Sequence, residues 1–547
     1  MYKFSFKILI LLISASCLPS FSAENDTDFE KRCLALKNYQ LPNVEIHLAE
    51  YAPTKSTALS SLNNHCKIQG DINKRIGIDG KAYAIGFELR LPQQWNSRFF
   101  FQGGGGTDGR LMPATGRLAF GSSDNGLARG FAVVSTDAGH IDEKGPTGSY
   151  LFALDPQARI DYGYLHLPLV STVAKELINW FYQQPAKYSY FVGCSNGGRQ
   201  GMMATQRYPE LFNGVLAGAP AYRVVEASID AARQTQIFAS VAPKNENGLP
   251  LLGQAFNKQE LEIVRNGILQ ACDKLDGSVD GMVNNISQCQ FDPTTVQCGN
   301  DNNTRCIAKN KADALSEIYA GAHNSSGELL YSSWPWDPGI GSNMWTMWKL
   351  GREDAMPPTA ANTTLIAGAL SHLFSTPPIQ TQDLYDFILN YDIDSDPKKT
   401  TQTTDLFKEA SVSFVDATST DLDTFIDKNG KIIFYHGMAD AIFSPNDTVN
   451  YFDKLGKRYV DDRDEMSRLY LIPGMSHCGG GLATDDFDGL SALVDWVEND
   501  KAPKEIIAKS GRSTPWPNRS RPLCPFPQQA VYKGSGSIEE ASSFKCE

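Results

Sequence analysis

Tyr190-Phe191-Val192-Gly193-Cys194-Ser195-Asn196-Gly197-Gly198-Arg199 reads as an apolar strand running into a sharp turn and then a helix. The spacing Gly193-x-Ser195-x-Gly197 is that of a nucleophile elbow, a strained strand-to-helix turn that lifts a serine above the C-terminal edge of a sheet. Glycines two residues to either side relieve the crowding of such a turn. The spacing alone is weakly specific, since an ordinary glycine-rich turn also shows it. Its place after an apolar strand and before Gln200-Gly201-Met202-Met203-Ala204 gives it weight.

The surrounding rhythm is that of an α/β fold. Residues 84–91 alternate apolar and polar like a half-buried strand, 98–102 form a second that runs into Gly103-Gly104-Gly105-Gly106, and 131–137 form a third. Helical spacing over 172–182 precedes a buried strand at 188–193, and the apolar run 214–220 follows one helix later. Strands alternating with helices predict a mainly parallel sheet flanked by helices. The rhythm stops near residue 221. Residues 222–420 hold helical stretches, a cysteine-rich stretch at 272–306, Asn-rich loops, and four of the eight tryptophans: Trp334, Trp336, Trp345 and Trp348. It resumes at 431–437 and 468–473 and ends in an amphipathic helix over 490–497. Residues 24–76 read as a loop-rich leading segment. The expected architecture is one α/β core, residues 24–221 and 421–547, interrupted by a lid of residues 222–420.

A chain of 547 residues with 41% hydrophobic content is long enough for such a core and its insertion. The net charge of −12, without a dense run of Lys or Arg, disfavours nucleic acid and anionic membranes as partners. Lys3 and Lys7 precede the apolar run 8–13, and small residues follow up to Ala23, which predicts a signal peptide over residues 1–23. The run is too short to span a bilayer, and no later segment reads as a membrane span. The expected location is secreted or periplasmic. Lipid anchoring at Cys17 is the alternative, disfavoured by Ser14 where leucine is usual. Without Cys17, ten of the eleven cysteines remain. Nearest-neighbour pairing gives Cys33–Cys66, Cys272–Cys289, Cys298–Cys306 and Cys524–Cys546, and leaves Cys194 and Cys478 unassigned or partners of each other.

A serine nucleophile needs a base. Of the eight histidines, His477 follows the last clear strand on a glycine-rich loop, Pro473-Gly474-Met475-Ser476-His477-Cys478-Gly479-Gly480. That matches the chain order serine, acid, histidine; His140 and His166 precede the elbow. The acid belongs after the preceding strand, where Asp440 stands, with Asp447 as its rival. The oxyanion requires donors: the backbone N–H of Asn196 and one from the Gly103–Gly106 loop, with Gly104 and Gly105 the candidates. In the insertion, Cys272-Asp273-Lys274-Leu275-Asp276-Gly277-Ser278-Val279-Asp280-Gly281-Met282 groups three carboxylates and two turn glycines, a composition suited to a hard, oxygen-seeking cation. It lacks the EF-hand spacing.

Cys194-Ser195, Asp440 and His477-Cys478, with the Gly-rich loop, Ser135-Thr136-Asp137-x-Gly139-His140 and the Asp-rich loop, resemble the pattern of the tannase and feruloyl esterase family over nearly the whole mature chain. The resemblance implies an α/β-hydrolase core, a lid, a disulfide joining Cys194 to Cys478, and a structural calcium ion. Its ligands would be the side chains of Asp273, Asp276 and Asp280 and the carbonyls of Ser278 and Met282. It also implies that Phe443 and Trp345 clamp the aromatic ring of a substrate. The activity expected is that of a serine esterase cleaving esters of aromatic carboxylic acids, feruloyl or galloyl in type, free or attached to plant polysaccharide or polyphenol. Two readings compete with it. One is a terephthalate monoester or aromatic polyester hydrolase, whose substrate carboxylate would seek a lid cation such as Lys349 or Arg352. The other is an inactive aromatic- or carbohydrate-binding protein.

Overall fold

The computed structural model describes residues 26–57, 60–118, 124–299, 305–511 and 514–547. The expected signal peptide and Cys17 lie outside these residues. Nine strands form one sheet: β1 Val44–Ala52, β2 His65–Ile76, β3 Ala82–Pro92, β4 Arg98–Gln102, β5 Ala132–Thr136, β6 Tyr188–Cys194, β7 Gly214–Gly218, β8 Lys431–Gly437 and β9 Ser467–Ile472. Their order is β1-β2-β3-β5-β4-β6-β7-β8-β9. Strands β1, β2 and β3 are antiparallel, and β3 meets β5 antiparallel. From β5 to β9 every pairing is parallel. This topology, with a serine turn after β6, is the α/β-hydrolase fold.

The leading segment is more regular than its sequence suggested. Residues 44–52 and 65–76 are sheet strands, and Asp26–Ala35 is a helix. The signal was present: Cys66, Ile68 and Ile72 are buried at even spacing along β2. Polar residues between them diluted the pattern.

Both sheet faces are covered, so the parallel strands read as apolar runs with alternate destinations. Phe99, Phe101, Phe191, Val215, Phe434 and Leu469 enter one core. Phe100, Tyr190, Leu216, Ile433 and Tyr470 enter the other. Three helices close these faces. Helix α1, His166–Tyr182, buries Leu167, Val170, Ala174, Leu177 and Phe181 against the first core, the three-to-four-residue spacing of an amphipathic helix. Tyr451, Phe452 and Leu455 of Pro445–Arg458 enter the same core. Leu490, Leu493 and Trp496 of Gly489–Asn499 close the second.

Helix α2, Asn196–Arg207, follows β6 directly. Strands β7 and β8 are parallel neighbours in the sheet, yet the chain between Gly218 and Lys431 leaves it altogether. That excursion holds α3, Val224–Val241, and α4, Asn343–Lys349, and its own apolar clusters around Phe238, Trp345, Leu370 and Phe374. Among the described residues no helix is long and apolar enough to cross a membrane.

Candidate active site

Ser195 occupies the turn between β6 and α2 with φ 65° and ψ −127°, a conformation strained for any residue but glycine. The turn is held because Ser195 N–H donates to the Gly218 carbonyl at 3.0 Å and its own carbonyl accepts from Arg199 N at 3.0 Å. A Cβ at Gly193 would lie 2.6 Å from the Gly197 carbonyl group, and one at Gly197 would lie 2.7 Å from the Gly104 oxygen. The two glycines therefore permit the elbow and the Gly-rich loop to touch.

His477 Nδ1 lies 2.7 Å from Asp440 Oδ2. The other Asp440 oxygen accepts the backbone N–H groups of Ile442 at 2.7 Å and Phe443 at 3.1 Å. Burial alone would raise the Asp440 carboxyl, but the charge of His477 and hydrogen bonds from His436 and His477 outweigh it and hold it well below the usual carboxylate range. The rival, Asp447, is committed elsewhere: it receives Arg223 Nη1 at 2.9 Å and Ser332 Oγ at 2.7 Å. Burial pushes His140 and His166 each down to about 3, so both are neutral interior residues.

Cys194 and Cys478 form a disulfide with Cα atoms 5.9 Å apart, which ties the residue before Ser195 to the residue after His477 across 284 positions. The other four bridges are Cys33–Cys66, Cys272–Cys289, Cys298–Cys306 and Cys524–Cys546. Ser195 and His477 line one cavity of about 580 Å³. Its lining comes from the Gly103–Asp108 stretch, the elbow, and the insertion, notably Met344, Met347, Trp348, Ile366 and Phe374.

Gly104 N–H is engaged: it donates to Gln200 Oε1 at 2.9 Å. Gly105 is exposed, and a Cβ there would meet nothing within 4 Å. Both candidates line the cavity, and of the two Gly105 is the one around which space is open.

Phe443 lines the cavity with its ring 5.5 Å from that of His477. Trp345 does not. It is buried in the insertion's own core, edge-on to Phe238 at 5.8 Å. Helix α4 explains the correction: residues 344, 347 and 348 share one face and line the cavity, whereas 345 and 349 share the other. The tryptophan at the cavity is Trp348, 6.5 Å from His477 ring to ring. Lys349, on the inner face, donates to Gln234 Oε1 at 2.6 Å and lies over the Trp334 ring, away from the cavity. Arg352 is exposed and pairs with Asp354 at 3.2 Å.

Asp273, Asp276, Ser278, Asp280 and Met282 are all buried in one loop. Asp273 accepts from the N–H of Asp280 at 3.1 Å, and Asp276 from Ser278 N at 3.0 Å and Asn284 Nδ2 at 2.6 Å. Asp280 pairs with Arg521 Nη2 at 2.5 Å. Burial, reinforced by the neighbouring carboxylates, pushes Asp273 and Asp276 upward. Among the described residues no group of three or more His, Cys, Asp or Glu side chains is arranged around a metal position. Among the same residues, no cationic side chain pairs with the carboxylates of Asp273 and Asp276, which are the oxygen donors that suit a divalent cation, whereas Asp280 is already paired with Arg521 and faces Arg519 at 4.0 Å. The parts played by Arg521 and Gln200 escaped the sequence reading because each lies far along the chain from its partner, Asp280 or Gly104.

A family model described as tannase and feruloyl esterase matches residues 66–547. The mono(2-hydroxyethyl) terephthalate hydrolase of Piscinibacter sakaiensis is 40% identical over 536 residues, which span 92% of this chain and 88% of the relative. A probable feruloyl esterase of Arthroderma benhamiae is 28% identical, with 98% of each chain covered. Among solved structures, feruloyl esterase B from Aspergillus oryzae superposes with a TM-score of 0.75 at 22% identity, covering 95% of this chain and 100% of that one. At that identity the likeness speaks for the fold.

Proposed function

This chain belongs to the tannase and feruloyl esterase family and is a carboxylic ester hydrolase, and from that premise we propose that it cleaves esters of aromatic carboxylic acids with Ser195, His477 and Asp440 as its triad. The observation that carries the reading is the convergence, in one cavity, of a strained serine and a histidine already bonded to a buried carboxylate.

In the proposed reaction His477 Nε2 takes the Ser195 proton as Oγ attacks the ester carbonyl. Asp440 accepts from Nδ1, fixing the tautomer and stabilising the imidazolium. The oxyanion meets the N–H groups of Asn196 and Gly105. Collapse expels the alcohol, which takes the proton from His477 and leaves an acyl-serine. Water, deprotonated by the same histidine, attacks the acyl carbon and releases the aromatic acid. Phe443 and Trp348 supply ring contacts beside the histidine. The experiment is Ser195→Ala: turnover of methyl ferulate and of an aryl ester should fall to background with the melting temperature kept. Undiminished turnover would refute the assignment, and failure of a fluorophosphonate to label Ser195 would favour a binding role.

A second reading, a terephthalate monoester hydrolase, draws support from the 40% identical relative. The cavity speaks against it. Its lining cations are Arg110, which is exposed and pairs with Asp142 at 2.9 Å, and Arg117, both on the loop after β4. The walls from the insertion are apolar, which favours an uncharged aromatic acyl group.

We further propose that the Asp273–Met282 loop holds calcium through the carboxylates of Asp273, Asp276 and Asp280, helped by the Ser278 and Met282 carbonyls. A hydrolysis run by a serine triad needs no Lewis acid, so such an ion would stiffen the loop. Five disulfides favour an oxidising compartment, and with the apolar leading segment they support export.

A further inference from the structure

We propose that Asp108 is a positioning residue of the oxyanion hole: its carboxylate clamps the Gly-rich loop to the first turns of α2. This deepens the esterase reading and rests on it. One Asp108 oxygen accepts from Asn196 Nδ2, and the other accepts from Gln200 Nε2 at 2.9 Å. Gln200 Oε1 in turn accepts the Gly104 N–H at 2.9 Å. Asp108 N–H donates to the Gly105 carbonyl at 3.0 Å, closing the turn from the other side. Asn196 Oδ1 accepts Arg199 Nε at 2.7 Å. A single side chain thus touches, directly or through one amide, the residues on both sides of the site where the oxyanion forms.

The chain of bonds has one polarity. An ionised carboxylate only accepts, so it satisfies two amide N–H groups at once. A neutral group at this position presents one donor. If Gln200 turned its amide to receive it, the Gln200 NH₂ would face the Gly104 N–H, donor against donor. If Asn196 turned instead, its NH₂ would face Arg199 Nε. Neutralising Asp108 therefore releases either Gly104 or Asn196 from its place. Each bond sits beside a cavity wall, where a partly buried polar group left without its partner is costly.

The charge is finely held. Burial pushes the Asp108 carboxyl up to about 7; hydrogen bonds from Gln200 and Asn196 and the charge of Arg199 oppose the rise, and Asp142 adds to it. Asp137, behind the loop, and the Tyr162 hydroxyl, beside Asn196, are the other titratable groups that sense its charge. His140 faces the adjoining Gly109 and stays neutral near neutral pH. The clamp is therefore made on the alkaline side of about 7 and released on the acid side.

The test is kinetic, on the full exported chain with a neutral aryl ester. Asp108→Asn should lower kcat by about 10- to 100-fold with KM changed less than about threefold, because the loss falls on the transition state. Log kcat of the parent enzyme should carry, on the acid side of about 7, an extra fall matching that 10- to 100-fold step, which the variant should lack. Combining Asp108→Asn with Gln200→Glu returns an acceptor-only carboxylate to the middle of the chain and should recover most of the lost kcat. Should Asp108→Asn fail to fold, Gln200→Met, which deletes both the acceptor of the Gly104 N–H and the donor to Asp108 and so cuts the clamp at its middle, is read the same way. A folded Asp108→Asn enzyme with parental kcat and acid-side fall, or a double variant no better than the single, overturns the clamp. A parent enzyme without any esterase activity overturns the underlying reading instead.

Discussion

At Trp348 and Trp345 the residue scale is decisive. Both sit on α4, three positions apart, and only the helix period separates a cavity wall from an interior packing residue. Trp348→Ala should lower kcat/KM for a feruloyl ester about 10-fold, since it removes a ring contact worth on the order of 1 kcal/mol together with its buried area. Trp345→Phe should instead destabilise the fold by about 1–3 kcal/mol and leave kcat/KM within about threefold, read by thermal melting beside initial rates. The proposed triad of Ser195, Asp440 and His477 could be put forward from sequence because each stands beside its own strand end, where local order reveals it. The tryptophan could not, because which face of α4 meets the cavity depends on how the whole insertion seats on the core. The same holds for Asp108, whose partners lie on a helix nearly a hundred residues away.

Elements rather than residues explain the Cys194–Cys478 bridge. It joins the turn after β6 to the loop after β9, two segments that are not sheet neighbours, and it fixes the distance across which a proton must pass. The Cys194→Ala, Cys478→Ala double variant should lose up to about 5 kcal/mol of stability, the chain-entropy value for so long a loop. Assayed at a temperature where it is fully folded, it should still have lost at least about 10-fold in kcat; full activity there would confine the bridge to a stabilising part. The Asp-rich loop makes a parallel case. Its carboxylates are buried close to one another, so a bound divalent cation would offset their repulsion. Chelation should lower the melting temperature and restore it on addition of calcium, with kcat at low temperature little changed; a melting temperature indifferent to chelator would remove the proposed ion. The strands of the parallel half were readable because both faces are buried and the runs are continuous. Strands β1 and β2 were missed because, in this antiparallel part of the sheet, polar residues interrupt the apolar positions along each strand.

For the molecule as a whole, specificity arises at the seam between core and insertion. The core contributes the proposed triad and oxyanion loop and two lining cations, Arg110 and Arg117. The insertion contributes an apolar wall, and its own basic residues Lys349 and Arg352 are turned elsewhere. This division was only half visible in the sequence: that the strands stop near 221 and resume at 431 could be read from the loss of rhythm, but which of the intervening side chains face the serine could not. A substrate whose acyl ring carries a free carboxylate would have to leave that charge against methyl and thioether groups, with a desolvation cost that no partner on that wall repays. Methyl ferulate should therefore exceed a terephthalate monoester in kcat/KM by at least about 10-fold, the factor that 1.4 kcal/mol represents. The converse variant is Met347→Arg, since Met347 lines the cavity, stays 49% exposed and so tolerates a longer, charged chain. It should narrow or invert that ratio and make free terephthalate a better competitive inhibitor, both effects weakening as salt is raised. Equal activity of the parent enzyme on the charged and neutral esters would instead place the substrate carboxylate beside Arg110 and Arg117, with the aromatic ring running toward the core loop rather than the insertion.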